Sequence, residues 1–385
     1  MRKQIQFRLL VVRLGAMGDI LHALPAVTAL RKAHPAWKIG WAIEPRWRPL
    51  LCAGSTQDET ACGGTSTAGS QLPPARTPAR PIVDQIHFVP AKAWGRKPFS
   101  RETVDGIRSL RRELHLGEYE AVLDLQGSIR SAVVSRLAGC RRIVGSTEPW
   151  EKPARLLYTE HVEAAGDHVI EQGVELASAI AGDLLMPIQP WLPVSPEAEA
   201  WCNSLAEELP DLDSPKPIVL IHPGGGWGAK CWPTDRYGTV ASELSNCGMT
   251  VLVNAGPGEE HLAAAVVTAS HGHAAVVRST LEQLIALTRR VALVIGGDSG
   301  PVHLATALGK PVVGIYGPTD PNRNGPFGAP FRVLRNPDSR RDHTRRSEPE
   351  AGLLTIWPEA VVAAALDLLV PEPPLTISPP RESGR

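Results

Sequence analysis

The chain has 385 residues, which is more than one ordinary hydrophobic core organises and is typical of two domains. A hydrophobic fraction of 43% and a charged fraction of 21% indicate a soluble globular protein. Basic and acidic residues balance at 40 each, so no overall positive field points to nucleic acid as a partner. The six cysteines form no C-x-x-C pair, which argues against a zinc site and a disulfide framework and favours a reducing compartment.

The N-terminal segment is basic and then apolar, as in a signal peptide, but arginines interrupt its apolar run and no cleavage site follows. We interpret it as a first buried strand. No apolar run approaches the roughly 20 residues that a membrane span needs. The sequence therefore predicts a cytoplasmic protein.

Along the chain, one pattern repeats: a short apolar run, a turn with Gly, Asp or Pro, and an amphipathic helix. The first series of apolar runs contains FRLLVVRL, KIGWAIE and EAVLDLQG, and the second contains PIVLIHPGGG, MTVLVNAGPG, VALVIGGD and KPVVGIYGPTD. Continuous apolar strands that alternate with helices indicate parallel sheets covered on both faces. We therefore predict an α/β protein with two doubly wound domains.

A proline-punctuated stretch divides the two series. It spans residues 186–200 and predicts a linker between an N-terminal domain, 1–185, and a C-terminal domain, 201–370. Residues 53–80 are rich in Gly, Ser, Thr, Ala and Pro and predict a flexible insertion. Residues 371–385 predict a disordered tail.

The segment RLGAMGDILHALPAV places a carboxylate where the first strand turns into a helix. Gly15 and Gly18 allow the turn, and Asp19 falls at the helix entry. Asp19 either caps the helix by accepting its free amides or projects into a cleft, where it can take a proton from a hydroxyl. In parallel sheets ligands bind beyond the carboxyl ends of the strands, which is where Asp19 lies.

The segment HPGGGWGAKCWP is a glycine-rich loop followed by a lysine, Lys230. It departs from the P-loop because Ala229 replaces the second glycine and Cys231 replaces the residue that would hold Mg²⁺. Exposed amides beside a compact cation still suit a phosphate group. The alternative is a flexible loop with a surface lysine.

The segment GGDSGPVHLATALG ends a strand and opens a helix. The free amides of Ser299 and Gly300 predict an anion site. Asp298 cannot bind that anion and is expected to accept hydrogen bonds from ligand hydroxyls. His303, one turn later, either reaches the same pocket or is structural. An acid for hydroxyls, amides for phosphate and a nearby lysine together favour a sugar nucleotide.

Two further clusters leave alternatives open. Asp211 and Asp213 form a D-x-D pattern, which holds a divalent metal in many glycosyltransferases, but they lie in a Pro-flanked turn at the wrong end of a strand, so we predict no metal site. Basic residues interleaved with Trp94 and Phe99 predict either a loop for an anionic, partly apolar acceptor or nonspecific surface charge. These basic residues are Lys92, Arg96, Lys97 and Arg101.

The segments RLGAMGDILHALPAVTALRKAHP, LDLQGSIRSAVVSRLAG, HPGGGWGAKCWP and GGDSGPVHLATALGKPVVGIYGPTDP occur in the order seen in a known family. From about residue 8 to 370 the chain resembles the ADP-heptose:lipopolysaccharide heptosyltransferases of glycosyltransferase family 9. The N-terminal half is most similar to heptosyltransferase I, which adds the first heptose to Kdo, whereas the glycine-rich loop is more similar to heptosyltransferase II. The resemblance implies the GT-B architecture, in which two Rossmann-like domains face a cleft.

The resemblance also implies roles for individual residues. Asp19 resembles the general base, Lys230 the residue that contacts donor phosphate and sugar, and Glu259 the acid that holds the ribose. Asp298 and His303 are similar to the sugar-facing pair. The donor side further includes Ser299, Gly300 and Thr319, and the acceptor side includes Gly18, Arg96, Lys97, Arg101 and Gln126.

The implied function is inverting, metal-independent transfer of heptose from ADP-heptose to the Kdo and inner-core region of lipopolysaccharide. No cofactor is expected. The anionic acceptor implies peripheral contact with the inner face of the membrane, and nucleic acid is not expected as a partner. The alternatives are heptosyltransferase II or another family 9 enzyme with a different acceptor, and an inactive protein that binds nucleotide sugars.

Overall fold

The computed structural model describes residues 6–54, 76–209, 216–254, 256–342 and 344–369. Three predicted features therefore lie wholly or partly outside the described residues. They are positions 55–75 of the predicted insertion, the D-x-D pattern at 211–213, and the predicted tail.

The N-terminal half of the chain forms a six-stranded parallel sheet. The strands are β1 (Arg8–Val12), β2 (Lys38–Ile43), β3 (Gln85–Phe88), β4 (Ala121–Asp124), β5 (Arg142–Ser146) and β6 (Glu160–Val162). The accompanying α-helices are α1 (Met17–Ala33), α2 (Ala91–Arg96), α3 (Arg101–Leu116), α4 (Ile129–Leu137) and α5 (Val169–Ala181). The strand order is β3-β2-β1-β4-β5-β6. Leu9, Leu10, Val11 and Val12 of the central strand β1 are fully buried, so this strand is covered on both faces.

The C-terminal half forms a second six-stranded parallel sheet with strand order β12-β11-β10-β7-β8-β9. Its strands are β7 (Ile218–His222), β8 (Thr250–Asn254), β9 (Ala275–Val277), β10 (Leu293–Gly297), β11 (Val312–Tyr316) and β12 (Phe331–Arg335). The α-helices of this half are α6 (Pro196–Glu208), α7 (Thr234–Asn246), α8 (Glu260–Ala269), α9 (Leu281–Arg290), α10 (Gly300–Ala307), α11 (Pro321–Asn324) and α12 (Pro358–Leu369).

The two sheets have the same topology. In each sheet the first strand lies between the second and the fourth, so the direction of winding reverses between β1 and β4 and again between β7 and β10. Ligands of doubly wound sheets bind in the crevice beyond the strand ends at this switch point. The predicted α/β fold with two Rossmann-like sheets is confirmed.

The segment between the halves is irregular up to Ser195, and α6 begins at Pro196, inside the predicted linker 186–200. The Ser195 hydroxyl caps α6 by accepting the N–H of Ala198 at 3.3 Å. Arg289 fixes the segment to the second half by donating to the carbonyls of Leu192 and Pro193. We propose that the domain boundary falls in this irregular segment.

Cysteine usage differs from the sequence-based expectation at one position. Cys52 is disulfide-bonded, whereas Cys140, Cys202, Cys231 and Cys247 are free. The absence of C-x-x-C pairs excludes closely spaced motifs but carries no information on cysteines that folding brings together. Among the described helices, none combines the length and the apolar content required to cross a bilayer.

A buried ion pair fixes the end of α1 to the first sheet. The Arg31 side chain is 1% exposed, pairs with Asp84, and donates to the carbonyls of Ile82 at 2.7 Å and Trp37 at 2.6 Å. Asp84 also accepts the N–H of Ile39 at 2.7 Å. The carboxylate therefore neutralises a guanidinium that water does not reach.

Replacing Asp84 with Ala should destabilise the protein by about 3–5 kcal/mol, because it leaves the Arg31 charge buried and unpaired. The measurement is the free energy of unfolding in urea, followed by far-ultraviolet circular dichroism. Asp105→Ala is the matched control, since its pair with Arg108 has side chains 70% and 73% exposed and should contribute little. Equal stabilities of the two variants would contradict the stabilising role of the buried Arg31–Asp84 pair.

Candidate functional site

The N-termini of α1 and α10 meet between the two sheets. Both helices begin directly after switch-point strands, α1 after β1 and α10 after β10. A Cβ atom at Gly18 would lie 2.7 Å from Cδ2 of His303, and one at Gly300 would lie 2.5 Å from Sδ of Met17. Only glycine permits this approach at both positions, so the sequence brings one strand-end loop of each sheet into a single site.

Asp19 lies in the first turn of α1 and has two partners. One carboxylate oxygen accepts the N–H of Ala16 at 2.9 Å, and the other pairs with the Arg13 guanidinium at 2.8 Å. Its side chain remains 48% exposed. Because each carboxylate oxygen has more than one lone pair, Asp19 can support the start of the helix and still accept a hydrogen bond from a ligand hydroxyl.

The loop that carries Asp19 is held by the neighbouring strand-end loop. The side-chain oxygen of Gln126 accepts the N–H of Leu14 at 2.7 Å, and its amide nitrogen donates to Ser128 Oγ at 2.9 Å. Arg13 donates to the carbonyl of Leu125. Gln126, predicted on the acceptor side, thus connects the two loops on the first sheet's side of the site.

Lys230 and Asp298 form a buried ion pair on the second sheet's side. Lys230 ends a short 3₁₀ turn in the glycine-rich loop, pairs with one Asp298 oxygen, and lies 4.1 Å from the centre of the Trp227 ring. The other Asp298 oxygen lies 3.1 Å from Nε2 of His303. Sequence reasoning assigned Lys230 and Asp298 to different parts of a ligand, whereas here they contact each other.

The charge of Asp298 is stabilised despite its burial. Burial alone would raise the pKa of this carboxyl, but the hydrogen bond and charge of His303 and the charge of Lys230 together hold the pKa well below its usual range. Asp298 is therefore a fixed anion that can accept hydrogen bonds. Its two partners are the residues predicted to share the site with it.

Glu259 lies over the glycine-rich loop. It directly precedes α8, its side chain is 28% exposed, and its Oε2 atom lies 4.0 Å from Nε2 of His222. A Cβ atom at Gly224 would collide with the Glu259 carboxylate, so glycine is required beneath it. The structure thus brings Glu259 to the same loop as Lys230.

Several buried polar atoms around the site have no hydrogen-bond partner within the described ranges. They are Ser299 Oγ, Thr319 Oγ1 and Trp227 Nε1, in the loops that follow β10, β11 and β7. Ser299 precedes α10, yet its hydroxyl makes no capping bond. A buried polar atom without a partner costs about 1–3 kcal/mol. These three atoms are therefore available to hydrogen-bond a polar ligand.

Three of the four basic residues predicted to lie in one loop lie on helices instead. Lys92 and Arg96 belong to α2, Lys97 directly follows that helix, and Arg101 begins α3. The Trp94 ring packs against Gly106 of α3, and this tertiary contact, which the sequence pattern does not show, supports the short helix. The loop prediction is therefore wrong, although Arg96, Lys97 and Arg101 are exposed.

Sequence reasoning missed one member of the basic cluster and two histidines. Arg130, at the start of α4, lines an open depression together with Lys92 and Arg96. His22 and His168 lie beside His303 at the contact between the halves. One signal for His22 was available, because it follows Asp19 by three residues and so shares a helix face with it.

Comparison with known proteins decides the family. Residues 107–353 match the profile of glycosyltransferase family 9 (heptosyltransferase). The chain belongs to this family. It is a glycosyltransferase, as predicted.

Curated relatives match over most of the chain. Lipopolysaccharide heptosyltransferase 1 of Escherichia coli K12 is 26% identical over 334 residues, which cover 86% of this chain and 94% of the relative. The protein of the same name from Pseudomonas aeruginosa is 25% identical over 328 residues, with coverages of 83% and 81%.

Solved structures extend the likeness to both sheets. E. coli heptosyltransferase WaaC with ADP matches with a TM-score of 0.70 at 22% identity, covering 94% of this chain and 100% of that chain. The family 9 glycosyltransferase from Veillonella parvula matches with a TM-score of 0.75 at 20% identity, with coverages of 96% and 98%. The predicted GT-B architecture is confirmed.

His222, at the end of β7, should make stability depend on pH. Burial lowers its pKa to about 4, below the value of about 6.5 in an unfolded chain. The unfolded state therefore binds a proton at this imidazole at a higher pH than the folded state does. The stability that neutral His222 contributes is complete above pH 6.5 and is lost as the pH falls towards 4. By linkage the loss is about 3 kcal/mol.

The test is urea unfolding of the wild type and His222→Gln between pH 7 and pH 4. The variant should show a shallower decline of the unfolding free energy. His273→Gln, at an exposed histidine, controls for removing an imidazole from the surface. Parallel curves for the wild type and His222→Gln would show that the prediction is wrong.

Proposed function

We propose that this chain is an inverting, metal-independent heptosyltransferase that moves heptose from ADP-heptose to the inner-core region of lipopolysaccharide. The observation that carries the proposal is the contact between the start of α1, where Asp19 lies, and His303 of the Lys230–Asp298–His303 cluster on the other half. The relatives named lipopolysaccharide heptosyltransferase 1 and the ADP bound to WaaC support this donor and product.

Asp19 acts as the general base on the acceptor side. Its carboxylate takes the proton of the acceptor hydroxyl while that oxygen bonds to the anomeric carbon from the face opposite ADP. The bond between this carbon and the diphosphate breaks, ADP leaves with the electron pair, and the configuration inverts. The pair with Arg13 at 2.8 Å holds the carboxylate at the edge of the site.

The leaving diphosphate gathers negative charge, which the donor side stabilises. Lys230 supplies a cation, and the amides of Ser299 and Gly300 add the positive end of α10. With these groups present, the reaction does not require a divalent metal. The Asp211 and Asp213 pattern is the alternative metal site, and it lies outside the described residues.

Other residues of the donor side bind the sugar and the nucleoside. Asp298 and His303 face the heptose, where the buried carboxylate accepts hydrogen bonds from hydroxyls. Glu259 accepts hydrogen bonds from the ribose. The unpartnered hydroxyls of Ser299 and Thr319 gain partners when the donor binds.

The basic depression on the first half suits the acceptor. Lys92, Arg96 and Arg130 line it, and Lys97 follows on the exposed surface beside Phe99, whose side chain is 94% exposed. Cations beside an exposed aromatic ring favour a phosphorylated lipid presented at a membrane surface. We therefore extend the proposal to peripheral contact with the inner face of the membrane.

The test is to incubate the full chain with ADP-heptose and either a Kdo-bearing lipid or its singly heptosylated product, with and without EDTA. The expected result is a mass gain of one heptose on one acceptor, unchanged by EDTA. A gain on the singly heptosylated lipid alone would support the heptosyltransferase II alternative. No gain on either acceptor, with ADP-heptose binding intact, would favour the inactive binding protein, and loss in EDTA restored by Mg²⁺ would contradict metal independence.

Asp19→Asn should lower kcat by about 10²–10⁴-fold, because the amide cannot accept the proton. Affinity for ADP, measured by calorimetry, should remain close to that of the wild type, since the donor side is untouched. Asp105→Asn, at an exposed helix position, is the matched control and should keep full activity. Turnover by a folded Asp19→Asn enzyme at the wild-type rate would rule out this role.

A further inference from the structure

Two histidines form a hydrogen bond across the boundary between the halves. Nε2 of His22, on α1, lies 3.2 Å from Nδ1 of His303, on α10, and both side chains are buried. The rings meet edge to face with centroids 4.4 Å apart. Because Nε2 of His303 bonds Asp298 at 3.1 Å, a continuous chain of contacts leads from Lys230 to His22.

His22 can form a hydrogen bond with His303 in either protonation state of the His303 ring. Burial, followed by the charges of His303 and His168, lowers the pKa of His22 well below its usual range, so His22 is neutral at neutral pH. A neutral imidazole has one donor and one acceptor nitrogen. Nε2 of His22 therefore accepts from a charged His303 ring and donates to a neutral one.

The same contact sets the position of Asp19 relative to the second half. His22 follows Asp19 by three residues on α1, so both side chains project from one face of the helix. Gly18, beside Asp19, packs against the His303 ring. A shift of His22 along the interface would therefore move the proposed base relative to the groups that face the sugar.

We infer that His22 is a positioning residue, which orients the His303 ring and holds α1 in register with the donor side without touching the substrate. The inference rests on the proposed function. A misplacement of about 1 Å at a reacting centre can cost roughly 10²-fold in rate. His22 thus acts on turnover more than on donor binding.

A cavity beside this pair provides a direct test. His22 and His303 line a cavity of about 150 Å³, together with Leu21, Pro25 and Phe327. Apolar cavities of about this size hold benzene, which is larger than imidazole. In His22→Ala, removal of the side chain should open a space in which free imidazole can take the place of the missing ring.

The experiment compares His22→Ala, His22→Phe and the wild type at saturating acceptor, with and without added imidazole. His22→Ala should lower kcat by about 10²-fold with little change in donor KM, and imidazole should restore part of it. His22→Phe keeps a ring but lacks its nitrogens, so kcat should fall without rescue. A wild-type kcat in His22→Phe, or a loss in His22→Ala that imidazole does not restore, overturns the inference.

His168→Ala is the matched control for a purely structural role. Nε2 of His168 also crosses the boundary, donating to the carbonyl of Gly325 at 3.1 Å, and its ring stacks on Phe327. No hydrogen bond joins it to His303 in the described part of the chain. The variant should lower the melting temperature and leave kcat unresponsive to imidazole. Imidazole activation of His168→Ala equal to that of His22→Ala would overturn the inference.

Failure of the proposed function can be told apart from failure of this inference. If the wild type transfers no heptose to either acceptor, the proposed function fails. In that case the ring-nitrogen resonances of ¹⁵N-labelled histidine test the contact between His22 and His303 independently of activity. Those of His303 should move in His22→Phe and stay in place in His168→Ala, and unchanged resonances in His22→Phe would overturn the inference.

Discussion

The close contact between the N-termini of α1 and α10 is the constraint on which the site depends. Gly18 against His303 and Gly300 against Met17 let two helix ends approach to a distance that any side chain would prevent. Each helix begins at the switch point of its own sheet. The contact therefore brings the helix turn that carries Asp19 against His303, which in turn bonds Asp298.

Electrostatics inside the site follow from burial. Asp298 remains charged because Lys230 and His303 occupy its two oxygens, so the ion pair keeps a cation beside the glycine-rich loop. The hydroxyls of Ser299 and Thr319 nearby, which have no partner among the described residues, can hydrogen-bond a polar ligand. A site built in this way is charged and only partly hydrogen-bonded, and both properties favour a ligand that carries phosphates and hydroxyls.

Much of this arrangement could be predicted from the sequence alone. Continuous apolar strands alternating with helices indicated two parallel sheets, and the rule for strand ends put Asp19, Lys230 and Asp298 in one region. The basic cluster was predicted less well. Lys92 and Arg96 lie on α2, a helix whose Trp94 packs against Gly106 of α3. Arg130 joins them from the start of α4. Contacts between separate elements cannot be predicted from the spacing of apolar residues along the chain.

The sequence by itself determined the fold class, the family and the set of groups available for chemistry, because these depend on local pattern and on motifs read in order. Only the tertiary structure decided which groups touch. The pairing of Lys230 with Asp298 and the bond between His22 and His303 join residues 68 and 281 positions apart. Such partners are chosen by the packing of whole elements, which no local stretch of sequence specifies.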